Sequence, residues 1–128
     1  MIDGASIQLP AVYSRAIPFL LTFTGSQGDT HPIWVVENGV FEFSRLMIRG
    51  TVITDLNICD STPANPFAFV QLNTVGFQPV DMGLGTYRSI VVSGLSRVLL
   101  VDPIGTAAPF MVKGMVYGWE RDYKGFYR

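Results

Sequence analysis

Along this chain, short runs in which apolar and polar residues alternate are interrupted again and again by Gly, Pro, Asn and Asp. Half-buried strands separated by turns produce that pattern, because successive side chains of a strand point to opposite faces. It predicts strands near Ile17–Thr24, Ile33–Glu37, Val40–Ile48, Thr51–Ile58, Phe67–Asn73, Tyr87–Ser93, Arg97–Asp102 and Phe110–Glu120. No ten-residue window carries a 3.6-residue period, and Pro18 breaks the apolar stretch "SRAIPFLL". The expected class is therefore all-β: a single-domain antiparallel β-sandwich or barrel of about eight strands, jelly-roll-like wiring included. Residues 1–16 have little pattern and are expected to form an extended N-terminal arm ahead of a domain spanning 17–128.

Local signals refine the expectation. In "WVVENGVFEF" the pair Asn38-Gly39 suits a type I′ turn and predicts a hairpin between the flanking runs. Phe41 and Phe43 alternate with Glu42 and Ser44, but the apolar phase then slips to Leu46 and Ile48. Such a slip predicts a bulge or bend near Ser44–Arg45, a device by which a strand passes from one sheet to another. Val52, Leu56 and Ile58 share one face opposite Asp55 and Asn57. Two connections, "CDSTPANP" (59–66) and "GFQPVDMGLGT" (76–86), are rich in turn-forming residues and belong at the surface.

The last predicted strand differs from the others. Phe110, Val112 and Val116 share one face with Gly114 and Gly118, while Met111, Met115, Tyr117 and Trp119 share the other with Lys113. Both faces are largely apolar, yet a two-layer sandwich buries only one of them. The second face must be covered by a loop, an arm or another chain. The two glycines also permit a neighbouring backbone to approach closely.

Composition strengthens that point. Only 15% of residues are charged and the net charge is −1, whereas a typical soluble domain carries about 25% charged residues. Little electrostatic repulsion keeps copies of such a chain apart. The nine cations are seven Arg and two Lys, Lys113 and Lys124, and interfaces favour that skew because guanidinium is weakly hydrated and multiply hydrogen-bonding. The start, "MIDGASIQLPAVYSR", lacks the basic then apolar regions of a signal peptide, and no apolar run reaches the ~18 residues of a transmembrane helix.

Candidate chemistry is sparse. His31 is the only histidine, so one subunit has no pair of imidazoles for a metal, and it is expected in a loop before Pro32 at a strand entrance. No G-x-S-x-G elbow precedes a helix. Acidic residues are scattered singly: Asp29, Glu37, Glu42, Asp55, Asp60, Asp81, Asp102, Glu120 and Asp122. "GLGTYR" (83–88) lacks the Lys-Ser/Thr of a phosphate loop. Cys59 is the only cysteine, expected as an inert, partly buried thiol at a strand end. These readings predict no enzymatic activity, no catalytic residues, no metal and no cofactor.

The tail "MVYGWERDYKGFYR" (115–128) concentrates five aromatics. Its cations are offset by Glu120 and Asp122, which argues against nucleic acid, a ligand that needs concentrated positive charge. Trp34, Trp119 and the tyrosines would suit a carbohydrate platform, the alternative function. The favoured expectation is docking through Met111, Met115, Tyr117, Trp119, Arg121, Tyr123, Phe126, Tyr127 and Arg128, residue types that dominate interface hot spots.

With its unpatterned arm, Arg over Lys, many Gly, Pro and Thr and no catalytic set, the chain resembles the small β-rich virion proteins of tailed bacteriophages, such as capsid cement subunits or tail and baseplate adaptors. The resemblance is compositional and transfers no functional residue. It implies a structural protein located in the virion after assembly in the host cytoplasm. The partners expected are copies of itself and other structural proteins of the particle, as a homo-oligomer, with no nucleic acid and no membrane.

Overall fold

Burial alternates along most of the longest strands, which shows which way their side chains face. The computed structural model describes residues 13–36, 39–81, 90–93 and 97–128. Its strands are β1 (Arg15–Phe23), β2 (Asp29–Val35), β3 (Val40–Gly50), β4 (Asp55–Asp60), β5 (Pro66–Gln71), β6 (Gln78–Asp81), β7 (Ile90–Ser93), β8 (Arg97–Asp102) and β9 (Phe110–Arg121). All strand pairings are antiparallel. One sheet runs β1-β9-β3, with β6 and β7 both beyond β3, and the other runs β2-β8-β4-β5.

β6 lies against Arg45–Ile48 and β7 against Val40–Phe43 of the same β3 edge. They are two halves of one edge strand, with residues 82–89 inserted between them. Counted as one, they make an antiparallel ribbon of pairs β1·β9, β2·β8, β3·β6/β7 and β4·β5, turned back at the β4–β5 connection. Wound across two facing sheets, that ribbon is a jelly roll.

The core lies between the sheets. Phe41, Phe43, Leu46 and Ile48 of β3 and Val112 and Val116 of β9 meet Leu56 and Ile58 of β4 and Val98 and Leu100 of β8. Aromatic packing ties it together: the Phe23 and Phe110 rings stack at 5.0 Å, and Phe43 meets Phe67 edge-on at 5.9 Å. Leu56 and Ile58 are fully buried and Val52 packs against the same cluster, as their shared phase predicts.

Several expectations are corrected. The hairpin expected at Asn38-Gly39 does not form, because β2 and β3 belong to different sheets; Asn38 itself lies outside the described residues. Each strand finds a longer ladder elsewhere, β2 on β8 and β3 on β9, and that pairing overrides the local turn preference. Gly39 is not in the left-handed region; it serves close approach, since a Cβ there would collide with the Arg121 carbonyl oxygen. The predicted bulge does occur, between Phe43 and Arg45 against β9, but β3 stays in one sheet throughout. β4 begins at Asp55 rather than Thr51, and β6 emerges within the supposed surface connection 76–86. β2 begins at Asp29, so His31 lies inside a strand opposite Leu100 and not in a loop. Pro32 is tolerated because β2 is an edge strand with a register shift between Pro32 and Trp34. The arm expected over 1–16 falls mostly outside the described residues; its last part is Tyr13, Ser14 and the start of β1.

Candidate interaction surface

The outer face of the five-stranded sheet carries most of the residues singled out from the tail. In β9, Phe110, Val112, Val116 and Gly118 are buried inward, so Met111, Lys113, Met115, Tyr117 and Trp119 point outward. Register places Thr22, Leu20, Pro18 and Ala16 of β1 beside Met111, Lys113, Met115 and Tyr117. On the other side Arg49 lies opposite Lys113 and Met47 opposite Met115.

Inward glycines let two phenyl rings close over β9. The Phe19 ring covers Gly114 and the Phe41 ring covers Gly118, so that a Cβ would stand 2.8 Å and 2.7 Å from their Cζ atoms. Close approach at these two glycines is as the sequence implies.

Two adjoining depressions mark the outer face. One, of about 310 Å³, is lined by Leu20, Arg49, Gly50, Thr51, Met111 and Lys113. The other, of about 210 Å³, is lined by Met47, Phe77, Gly114, Met115 and Tyr117. Phe77 belongs to both settings: its ring centre is 5.9 Å from the Arg49 guanidinium carbon and 5.8 Å from Lys113 Nζ. Cations over an aromatic face are attracted by its quadrupole. Arg49 and Lys113 are nevertheless like charges directly opposite one another, and among the described residues no carboxylate lies within ion-pair reach of either.

Part of the face is covered from within. Tyr13, just before β1, packs on Tyr117 at 5.3 Å and on Trp119 at 5.0 Å. Arg121 binds Glu42 at 3.3 Å. The terminal residues turn back on β9: Asp122 accepts from the Lys124 and Phe126 amides, the Arg128 amide donates to the Glu120 carbonyl, and Tyr127 bridges to Arg121. This turn leaves Tyr123, Phe126 and Tyr127 at 68, 69 and 63% exposure.

The candidate residues therefore divide into groups. Met111, Met115 and Tyr117 join the depressions, Trp119 lies under Tyr13, and Tyr123, Phe126 and Tyr127 form a separate exposed turn. Arg128 instead faces the buried Glu120 carboxylate at 3.7 Å, with Arg15 on the other oxygen at 3.5 Å. Sequence reasoning overlooked Leu20, Met47, Arg49 and Phe77. The apolar run "AIPFLL" was the available signal for Leu20, since a strand segment without polar positions has two apolar faces.

Elsewhere the titratable groups read as structural. Asp102 is buried and accepts from the amides of Ile104, Gly105 and Thr106, organising the β8–β9 turn. Burial pushes Asp29 upward, but the Thr24 N–H at 2.7 Å and neighbouring His31 at 3.3 Å outweigh it and hold the carboxyl below its usual value. Burial raises the Cys59 thiol, which donates to the Pro63 carbonyl. Among the described residues no cluster of three His, Cys, Asp or Glu is placed to hold a metal ion.

Fold and surface together define a jelly-roll domain with an apolar, cation-bordered outer sheet face. Comparison with protein-family models, curated proteins and solved structures finds no match to the chain.

Proposed function

We propose that this protein is a structural subunit of a multi-subunit assembly, a virion protein of the kind found as capsid decoration or tail and baseplate adaptors in tailed bacteriophages, working by protein–protein association. The supporting observation is the outer face of the five-stranded sheet: Leu20, Phe77 and Met111 are exposed there, and Tyr123, Phe126 and Tyr127 project from the adjoining turn. Groups of exposed large apolar side chains of this kind suit a contact site. Jelly rolls serve capsids, lectins and cupins alike, so the fold by itself does not choose among them.

The carbohydrate alternative is weakened by where the tryptophans lie. Trp119 is packed by Tyr13, and Trp34 sits against Phe41 at 5.3 Å with the Arg15 guanidinium carbon 4.8 Å from its ring centre. Both rings are partly covered by these neighbours.

Sedimentation velocity over a concentration series tests the reading. The wild-type chain is expected to associate, and Leu20→Asp combined with Met111→Asp to weaken association at least about tenfold, because a charge is placed in a desolvated contact. A wild-type chain that stays monomeric throughout while a glycan array retains it, with loss on Trp119→Ala, would replace this reading by the carbohydrate one.

A further inference from the structure

Exposed apolar side chains also occur at the β4–β5 side of the four-stranded sheet, Phe69 in β5 and Ile104 in the β8–β9 turn. An open depression of about 650 Å³ lies there, lined by Asp55, Asn57, Phe69, Val70, Gln71, Pro103 and Ile104. Phe69 stands 78% exposed at its margin, unusual for a phenyl group in a strand, and Ile104 is exposed beside the β8–β9 turn. In the β4·β5 register Asn57 faces Phe69 and Asp55 faces Gln71, so Asp55 is the diagonal neighbour of Phe69 on the same face. Diagonal cross-strand neighbours are about 7–8 Å apart. Asp55 is exposed and has no ion-pair partner among the described residues.

Each sheet thus shows outward what the other lacks. The four-stranded sheet presents a projecting phenyl group with a carboxylate beside it. The five-stranded sheet presents an apolar depression beside two cations that face each other without a counter-ion among the described residues. Like charges directly opposite on neighbouring strands repel, and a carboxylate arriving from outside relieves that repulsion.

We infer that the outer face of the five-stranded sheet receives the outer face of the four-stranded sheet of a second copy of this chain, Phe69 entering the depression beside Leu20 and Met111 and Asp55 meeting Arg49 and Lys113. The inference rests on the assembly reading above and specifies its contact. Two different patches meet, so the contact is heterologous: each added copy leaves one face of each kind open. Such contacts generate rings when the rotation closes and filaments when it does not. The low overall charge of the chain leaves little long-range repulsion against this stacking.

Charge reversal tests it on the full chain. Asp55→Lys and Lys113→Glu each place like charges across the contact, and each is expected to weaken self-association about tenfold or more in sedimentation velocity. An equimolar mixture of the two variants should recover it, because the intact basic face of one meets the intact acidic face of the other; the doubly reversed chain should recover it too. Circular dichroism is expected to show both single variants folded, since both positions are exposed. If Lys113→Glu weakens association while Asp55→Lys does not, the basic face meets something other than the acidic one and the inference fails. Association that ignores both reversals also overturns it and leaves the assembly reading standing on another surface. A wild-type chain that never associates removes both.

Discussion

At Cys59 the chemistry of the side chain is set by its neighbours. It is fully buried on the outer side of β4, packed with Leu99 and Val101, and its thiol points at the Pro63 carbonyl. Burial raises its pKa, so little thiolate forms near neutrality. Native protein is expected to react with an aromatic disulfide reagent at least about a hundredfold more slowly than urea-unfolded protein, followed by absorbance. Asp29 shows the opposite shift. A carboxyl held below its ordinary value of 3.8 adds stability above that pH, and the contribution is lost as pH falls through the lower folded value. Asp29→Asn is expected to flatten the acid limb of the stability–pH curve in denaturant titrations, while wild type loses stability below about pH 4. Glu120 owes its burial to strand parity. It shares the inward face with Phe110, Val112 and Val116, and two arginines compensate its charge.

Among the elements, β9 organises the most. It lies between β1 and β3, and its inward glycines allow Phe19 and Phe41 to close over it. A Cβ at Gly114 would collide with the Met47 carbonyl oxygen, an obstacle that no side-chain rotation relieves. Gly114→Ala is therefore expected to cost about 1–3 kcal/mol in urea denaturation. The segment before β1 acts on the other face. Tyr13 shields Tyr117 and Trp119, so Tyr13→Ala in a Trp34→Phe background is expected to increase acrylamide quenching of Trp119 fluorescence without loss of the fold. The edge opposite β1 is built from two short strands, β6 and β7, and Pro79 within β6 is tolerated because an edge strand leaves its outer amides unpaired. That proline made the segment look like a loop.

For the whole molecule, wiring governs behaviour. The pairs β1·β9 and β2·β8 join the two ends of the chain, so these ladders cannot form until distant segments meet. Loop closure must precede the gain from such contacts, and stopped-flow refolding is expected in the millisecond-to-second range rather than microseconds. One continuous core joins both sheets, so near- and far-ultraviolet circular dichroism should report a single coincident unfolding transition. At the same scale, the outer faces of the two sheets carry different side chains: Leu20, Arg49, Met111 and Lys113 on one, Asp55 and Phe69 on the other.

Much was readable from residues alone. Period-two alternation and the absence of a 3.6 period follow from side-chain geometry within one strand, so the all-β class, the inward face of β9, the bulge near Ser44 and the two-sided apolar character of the last strand were all legible. The partner of each strand was decided only by tertiary structure, because ladder pairing is a competition among distant segments. That competition put β2 and β3 in different sheets instead of one hairpin, and recruited Gln78–Asp81 as an edge strand. It also set Arg49 opposite Lys113 beside Leu20, and Asp55 diagonal to Phe69. Alternation is a property of a single strand, whereas a surface belongs to strands far apart in the chain, and no local pattern encodes which of them will be neighbours.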